Sequence, residues 1–530
     1  MWKSIGLLVI TVLGCSAQTS GISAERIAAH TRFLSSDLLE GRGVGTRGGQ
    51  LATEYIATQL ALAGARPVGA DGTFFQPVPL VGIETRPGAS MGASSAGKTA
   101  DFKWSEDFVG ASQTQQPEDS FEAGAVFAGH GITAREFNWD DYKGVDVAGK
   151  VVVVFTNEPP STDPKFFGGR ALTYYGRWTY KYEEALRHGA RACLIIHTTP
   201  TASYGWEVVR NSWGKEAPFV KLAPGDKALS FQGWLTRDAG ERLLGLAGKH
   251  VDDLLAAADK PGFKPFDLGV QIRMRVESEI RVLDSNNVAG VIVGSDPKLK
   301  DEVVIFSAHW DHLGIGEPVN GDPIYNGAID NATGCAILLE LARVWGSLPQ
   351  KPKRSALFLS VTAEEAVLKG SEYYGRHPLV PLARTALDLN FDALYPFGRA
   401  ADVVITGADR TSVYPLAQQT AKRLNLAIAE DAQPEAGHYF RSDHFSLARV
   451  GVPAFTIGHA TEFLGKPAGY GQEVYNEFNS KHYHQPSDEF RADWDFTALA
   501  QAAEYGFLLG KDVANQDKLP DWKPGEQFHR

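Results

Sequence analysis

The stretch "VVIFSAHWDHLG", Val303 to Gly314, decides how the chain is read. Four apolar β-formers open it, as in a strand covered on both faces. It then delivers His309, Asp311 and His312 in quick succession, groups that are costly to bury without partners. On a strand, His309 and Asp311 point to the same side. A core strand that stops on such side chains closes either over a satisfied interior pair or at the wall of a site.

Two further stretches end the same way. "RSALFLSVTAEE" stops on Glu364 and Glu365, and "ALDLNFD" stops on Asp392. In open parallel sheets, sites gather beyond the carboxyl ends of strands. Asp330, in "YNGAIDNATG", precedes a helix whose N-terminal rim favours a carboxylate. His484 lies in the late loop "KHYHQPSDEF". Singly, each residue has an ordinary reading: core histidine, helix cap, helix start or loop polarity. Together at one rim, their carboxylates repel and raise one another's pKa unless cations sit between them. Imidazole and carboxylate donors without thiolate suit zinc, with manganese or cobalt as alternatives. A bridging carboxylate holds two divalent ions roughly 3.5–4 Å apart, the spacing of two-metal hydrolases. The cluster therefore points to hydrolysis of a carbonyl or phosphoryl group.

The surrounding pattern predicts an α/β fold: a mixed, largely parallel sheet flanked by helices. From about Phe263, strands are expected at "VQIRMRVES", "SNNVAGVIVG", "DEVVIFSAH", "RSALFLSVT", "TALDLNFDA", "ADVVITG" and "VPAFTIG". Helices are expected between them, at Ala332 to Ser347, Ala366 to Arg376, Thr411 to Leu424 and Thr497 to Lys511. Residues 122–262 have their own rhythm of short apolar strands and helices and read as a separate β/α module. Ahead of it, Ala24 to Leu39 and Gln50 to Ala63 read as helices, Gly88 to Thr99 as a small-residue loop and Ala111 to Ser120 as a polar linker.

At 530 residues the chain is long enough for two or three domains, and its 43% hydrophobic and 22% charged content is ordinary for a globular protein. A net charge of −11 without a dense basic run argues against nucleic acid as a partner. The first residues, "MWKSIGLLVITVLGCSAQTS", place Lys3 before an apolar run too short to span a bilayer and then small residues, the form of an export signal. Val12-Leu13-Gly14-Cys15 resembles a lipoprotein box with Cys15 as the lipid anchor; the alternative is cleavage near Ala17. Of the three cysteines, Cys193 and Cys335 sit in apolar contexts and read as buried free thiols.

"SAHWDHLG", "YNGAIDNATG", "TAEEAVLKGSEYY", "LNFDAL", "RSDHFSLARVGVPAF" and "YHQPSDEF" follow the order found in the co-catalytic zinc exopeptidases that include secreted bacterial aminopeptidases and glutamate carboxypeptidases. The chain resembles that family over most of its length. "LEGRGVGTRGGQLATEYIATQL" looks like the family's N-terminal segment, and residues 122–262 look like its inserted protease-associated (PA) domain. The resemblance implies residues 1–20 as signal, 21–121 and 263–530 as the two parts of a zinc-peptidase phosphorylase/hydrolase-like domain, and 122–262 as the insert. It implies that Asp330 bridges two zinc ions, that His309 and Asp392 complete one, and that Glu365 and His484 complete the other. Glu364 would be the general base acting on a metal-bridging water, Asp311 would orient His309, and Tyr483 would hydrogen-bond the oxyanion. Arg441 would lie near the substrate.

The expectation is an exported, periplasmic or extracellular aminopeptidase acting on peptides, without a membrane-spanning segment. A carboxypeptidase or dipeptidase on the same scaffold is the first alternative, and a non-catalytic receptor-like module the remote one. Side-chain preference and oligomeric state stay open. "GASMG" at Gly88 to Gly92 fits a serine-hydrolase pattern but lacks the strand–turn–helix context. Gly43, Gly45 and Gly48 follow a helix rather than a strand, so they read as a turn and not as a dinucleotide loop. His482 is the rival to His484, and His312 reads as a loop residue beside the site rather than a ligand.

Overall fold

The computed structural model describes residues 21–202 and 205–530. The readings of an export signal and of a lipid-bearing Cys15 fall on residues 1–20, outside the described residues.

Four parallel strands form the centre of the peptidase-like layer, in the order Ala454–Ile457, Thr385–Phe391, Val303–His309, Ser355–Val361. Every residue of the last three is buried, because helices cover both faces. Alternate residues feed two cores. Val304, Phe306 and Ala308 pack towards helices Ala24–Leu34, Arg47–Leu62, Thr333–Ser347 and Thr497–Asn515. Val303 and Ile305 pack towards Tyr374, Phe445 and Leu447, carried by helices Lys369–Arg376 and His444–Arg449. Each such side chain, fully buried, contributes about 1.5–3 kcal/mol. "ADVVITG" does not join this sheet. Asp402–Val404 pairs instead with Ala427–Ala429 in a small parallel ribbon.

A second sheet holds parallel strands Glu118–Phe127, Val151–Phe155, Ala192–Ile196 and Phe231–Leu235, with Phe108–Ala111 antiparallel at its edge. Ser90–Ser95 and Lys98–Lys103 also belong to it, as an antiparallel hairpin. The expected loop over Gly88 to Thr99 is therefore a strand pair. Small residues concealed it: Met91 and Ala93 alternate inward, and Ala96 and Gly97, both at positive φ (48° and 84°), make the two-residue turn that hairpin twist favours. The expected linker likewise gives way to a strand at Glu118. The hydrophobic cluster of this sheet runs from Ala89 to Val276.

One strand, Phe266–Ile292, joins the two sheets. Its first part pairs with Glu118–Phe127 and Ser90–Ser95. Its second part pairs with Phe75–Thr85 from Ser278 to Val288 and with Ser355–Val361 from Val288 to Ile292. "VQIRMRVES" and "SNNVAGVIVG" are thus one element rather than two. The alternation of buried and exposed residues changes phase between them, at the exposed pair Arg281 and Val282, yet the strand runs on without a turn.

Candidate metal centre

Beyond the carboxyl ends of the parallel strands, His309, Asp330, Asp392, Glu364, Glu365 and His484 come together. Nε2 of His309 lies 3.3 Å from Asp330 Oδ1, 3.2 Å from Asp392 Oδ1 and 4.0 Å from Glu364 Oε2. Nε2 of His484 lies 2.9 Å from Glu365 Oε2 and 3.4 Å from Asp330 Oδ2. Asp330 thus faces an imidazole with each oxygen, and two acid–imidazole groups share it.

The His309 ring is fixed by main chain. Its Nδ1–H donates to the carbonyl of Asp311 at 3.1 Å, which directs Nε2 into the cluster. The Asp311 carboxylate lies 3.8 Å from Nδ1, beyond hydrogen-bond length. It accepts instead from the amide N–H groups of Glu364 and Glu365, at 3.1 and 3.4 Å. So Asp311 orients His309 through its backbone and shapes the Glu364–Glu365 turn through its side chain. Burial pushes its own carboxyl up to about 7.

Asp330 sits in a tight turn ahead of the helix Thr333–Ser347. Asp488, buried four residues past His484, accepts from the amides of Ile329 (2.9 Å) and Asp330 (3.1 Å). Asn331 donates to the carbonyl of Phe391 at 3.0 Å and accepts from the amide of Ala393 at 3.3 Å, tying the Asp330 turn to the Asp392 loop. Arg42, almost fully buried, donates to the carbonyls of Trp310, Leu34, Asn326 and Gly327 at 2.6–2.9 Å. One guanidinium thereby holds the His309 and Asp330 loops against the N-terminal segment.

His312 lies in a loop beside the site, as read, and is more closely engaged there than its sequence suggests. Its ring is buried, with Nδ1 2.5 Å from Glu365 Oε1, and it groups with Asp330 and Glu365 as a potential metal-holding set. Glu365 is therefore flanked by imidazoles on both oxygens. Gly327, at φ 57°, makes the space: a Cβ there would meet the His312 ring at 2.5 Å. No local signal distinguishes His312 from a loop residue, because its partner is 53 positions away by residue number, Glu365. His482, the rival to His484, turns away and hydrogen-bonds Ser487 at 2.9 Å. Arg42, Asn331 and Asp488 were likewise not singled out from sequence.

The electrostatics follow from crowding. Burial opposes protonation of His309, but the carboxylates of Asp392, Glu364 and Asp330 outweigh it and hold the imidazole well above its usual range. His484 behaves alike and is raised to about 10 by Glu365 and Asp330 against burial. Burial would raise Glu365, yet His484 and His312 bring it down to about 2. Glu364 goes the other way, raised well above its usual value by burial and by neighbouring carboxylates. Tyr483 stacks on His484 with ring centroids 3.8 Å apart. Its side chain is 44% exposed at the mouth, and partial desolvation with the facing carboxylates raises its hydroxyl. Arg441 stands exposed on the loop before Ser442, and the cluster assembles without it.

The donors fit zinc on chemistry: imidazole and carboxylate, no thiolate. They also fit on geometry. Nε2 of His484, both ring nitrogens of His312 and Oε1 of Glu365 are buried yet make no aligned hydrogen bond. Buried polar atoms are seldom left so, and a shared cation satisfies them.

Comparison with known proteins agrees. A family model described as peptidase family M28 matches residues 287–506. Aminopeptidase NAALADL1 of Rattus norvegicus is 35% identical over 141 residues, 25% of this chain and 17% of that protein. Aminopeptidase YwaD of Bacillus subtilis (strain 168) is 30% identical over 206 residues, 38% of this chain and 39% of that protein. The matched stretches are less than half the length of either relative. An aminopeptidase structure from Aneurinibacillus sp. strain AM-1 is similar in fold, with a TM-score of 0.53 at 22% identity, covering 96% of this chain and 98% of its own. The stretch that matches the model of peptidase family M28, residues 287–506, is also the one that carries the acid–imidazole cluster at the strand ends.

Proposed function

We propose that the chain is an exported zinc aminopeptidase that holds two ions and removes N-terminal residues from peptides. The observation that carries this reading is the pair of acid–imidazole groups sharing Asp330, with Glu364 beside them. Aminopeptidases among the similar proteins favour the amino end of the substrate.

In this reading His309, Asp330 and Asp392 hold one ion, and Asp330, Glu365 and His484 hold the other. The ions supply positive charge that polarises a carbonyl and acidifies water. Glu364, 4.0 Å from His309 at the edge of the cluster, takes the proton from the attacking water and delivers it to the leaving amine. Asp311 positions His309 and the glutamate pair. Tyr483, protonated at the mouth, donates its hydroxyl to the developing oxyanion. Arg441, exposed nearby, is a substrate contact. Residues 122–262 form the body of an inserted protease-associated module. The strands of residues 90–111 extend its sheet, and 21–121 and 263–530 otherwise build the peptidase domain. Residues 1–20 direct export, ending either in lipidation of Cys15 or in cleavage near Ala17. No helix among the described residues is long and apolar enough to cross a membrane.

The test pairs zinc counting with a substrate panel of aminoacyl anilides beside N-blocked dipeptides. Two zinc ions per chain and cleavage of the anilides alone are expected. Cleavage of the blocked dipeptides alone would instead establish a carboxypeptidase. Glu364→Gln is expected to keep its zinc and lose roughly 10²–10⁴-fold in kcat; a variant as fast as the parent would remove Glu364 from the mechanism.

A further inference from the structure

Strand Thr385–Phe391 is apolar on the face that meets helices Thr333–Ser347 and Thr497–Asn515, through Leu387, Leu389 and Phe391. Its other face carries Asp388 and Asn390, both with no exposed surface, and Asp392 continues that row. Nothing in the mechanism above uses Asp388 or Asn390, and a carboxyl in the middle of a buried strand is costly to keep.

The contacts run in one line. Ser307, on the adjacent strand and in register with Asn390, has its hydroxyl 2.8 Å from Asp388 Oδ1 and 3.1 Å from Asn390 Oδ1. Asn390 Nδ2 lies 2.7 Å from Ser442 Oγ, and Ser442 Oγ lies 2.6 Å from Asp392 Oδ2. We propose that Asp388, Ser307, Asn390 and Ser442 are positioning residues: a one-way hydrogen-bonded chain that ties Oδ2 of Asp392 and leaves Oδ1, the oxygen facing His309, to serve the metal.

Proton inventory sets the direction. Asp392, as a metal-holding carboxylate, only accepts, so Ser442 donates its single O–H to Oδ2. Ser442 Oγ must then receive its second bond, which places the Asn390 NH₂ against it. Asn390 Oδ1 consequently faces Ser307 and takes the Ser307 proton. With that proton committed, the contact between Ser307 and Asp388 requires a proton from Asp388. Asp388 is therefore a neutral carboxyl, and its other oxygen, Oδ2, has no hydrogen-bond partner. Burial pushing this group up to about 8 agrees. A carboxylate that supports a metal through one oxygen and is anchored through the other is the arrangement by which outer hydrogen bonds orient a ligand.

The inference rests on the zinc reading above, and the experiment separates the two. Zinc affinity of the full chain is measured by chelator competition, the visible bands of the cobalt-loaded protein report ligand geometry, and thermal unfolding of metal-free protein verifies folding. Ser442→Ala is expected to weaken one zinc equivalent by about 10–100-fold and to shift the cobalt bands. Asp388→Asn, whose amide donates to Ser307 as the neutral acid does, is expected to stay within about 2-fold of the parent. Asp388→Val is expected to weaken binding as Ser442→Ala does. An unchanged Ser442→Ala overturns the anchoring role. An Asp388→Asn as impaired as Ser442→Ala overturns the chain's direction. These two variants decide the matter even where Asp388→Val does not fold. A parent that binds no zinc refutes the functional reading instead.

Discussion

His444 has no solvent exposure, and loss of water pushes its imidazole down to about 3. The folded protein therefore keeps this ring neutral where the unfolded chain, titrating near 6.5, takes up a proton. Its contribution is intact above pH 6.5 and is lost progressively as the pH falls from 6.5 towards 3. His444→Phe, which fills the space without titrating, should flatten that loss by up to about 1.4 kcal/mol per pH unit. Urea unfolding between pH 7 and 4.5 measures it; parallel slopes for parent and variant would count against a buried neutral ring. At this scale, legibility divides by distance along the chain. His309, Asp330, Glu364, Glu365 and Asp392 were readable because each ends a strand or starts a helix, where polarity interrupts an apolar pattern. His484, in a late loop without such a pattern, was noted from sequence but given its ligand role only by the family resemblance. His312 and Asp488 were not readable, since their purpose is defined by partners that only folding brings near.

Arg42 acts between elements. Its donors serve four carbonyls on three separate segments, up to 285 residues away, and among the described residues no carboxylate pairs with it. Lysine offers a point charge without the planar fork and cannot reach all four. With hydrogen bonds to a charged group worth about 1.5–3 kcal/mol each, Arg42→Lys should lower the unfolding free energy by roughly 3 kcal/mol. It should also loosen zinc, because the His309 and Asp330 loops lose their shared anchor. Denaturant unfolding and chelator competition together check this, and a fully stable variant would show that the carbonyls find other donors. Element identity was largely legible: the apolar strands and helices of the peptidase-like layer appear where their periodicity puts them. What stayed hidden was continuity. Phe266–Ile292 looked like two strands because exposed charges such as Arg281 resemble a loop when only composition is weighed. The hairpin at Ser90–Lys103 looked like a loop because small residues carry little hydrophobic signal.

At the scale of the molecule, the second sheet's module leans on the peptidase-like layer beside the acid–imidazole cluster. Arg449 meets both oxygens of Glu183 at 3.1 and 2.9 Å and lies over the rings of Tyr174 and Phe445. The amide of Leu172 donates to the carbonyl of Pro434 at 3.0 Å. A partly exposed ion pair is worth about 0–1 kcal/mol and a cation–π contact about 0.5–1, so Arg449→Ala should cost roughly 1–2 kcal/mol. Its clearer effect should be faster protease cleavage within residues 157–176, with zinc content unchanged. Equal cleavage rates would mean that this contact does not hold the segment down. The long strand Phe266–Ile292 gives the pairing of the two units its character. One continuous run of backbone is hydrogen-bonded into both sheets, so the two units are coupled through main chain rather than through a linker. A shift of either sheet would have to pass through this common beam, whereas segments 157–176 and 431–443, which meet through Leu172 and Pro434, lie outside it.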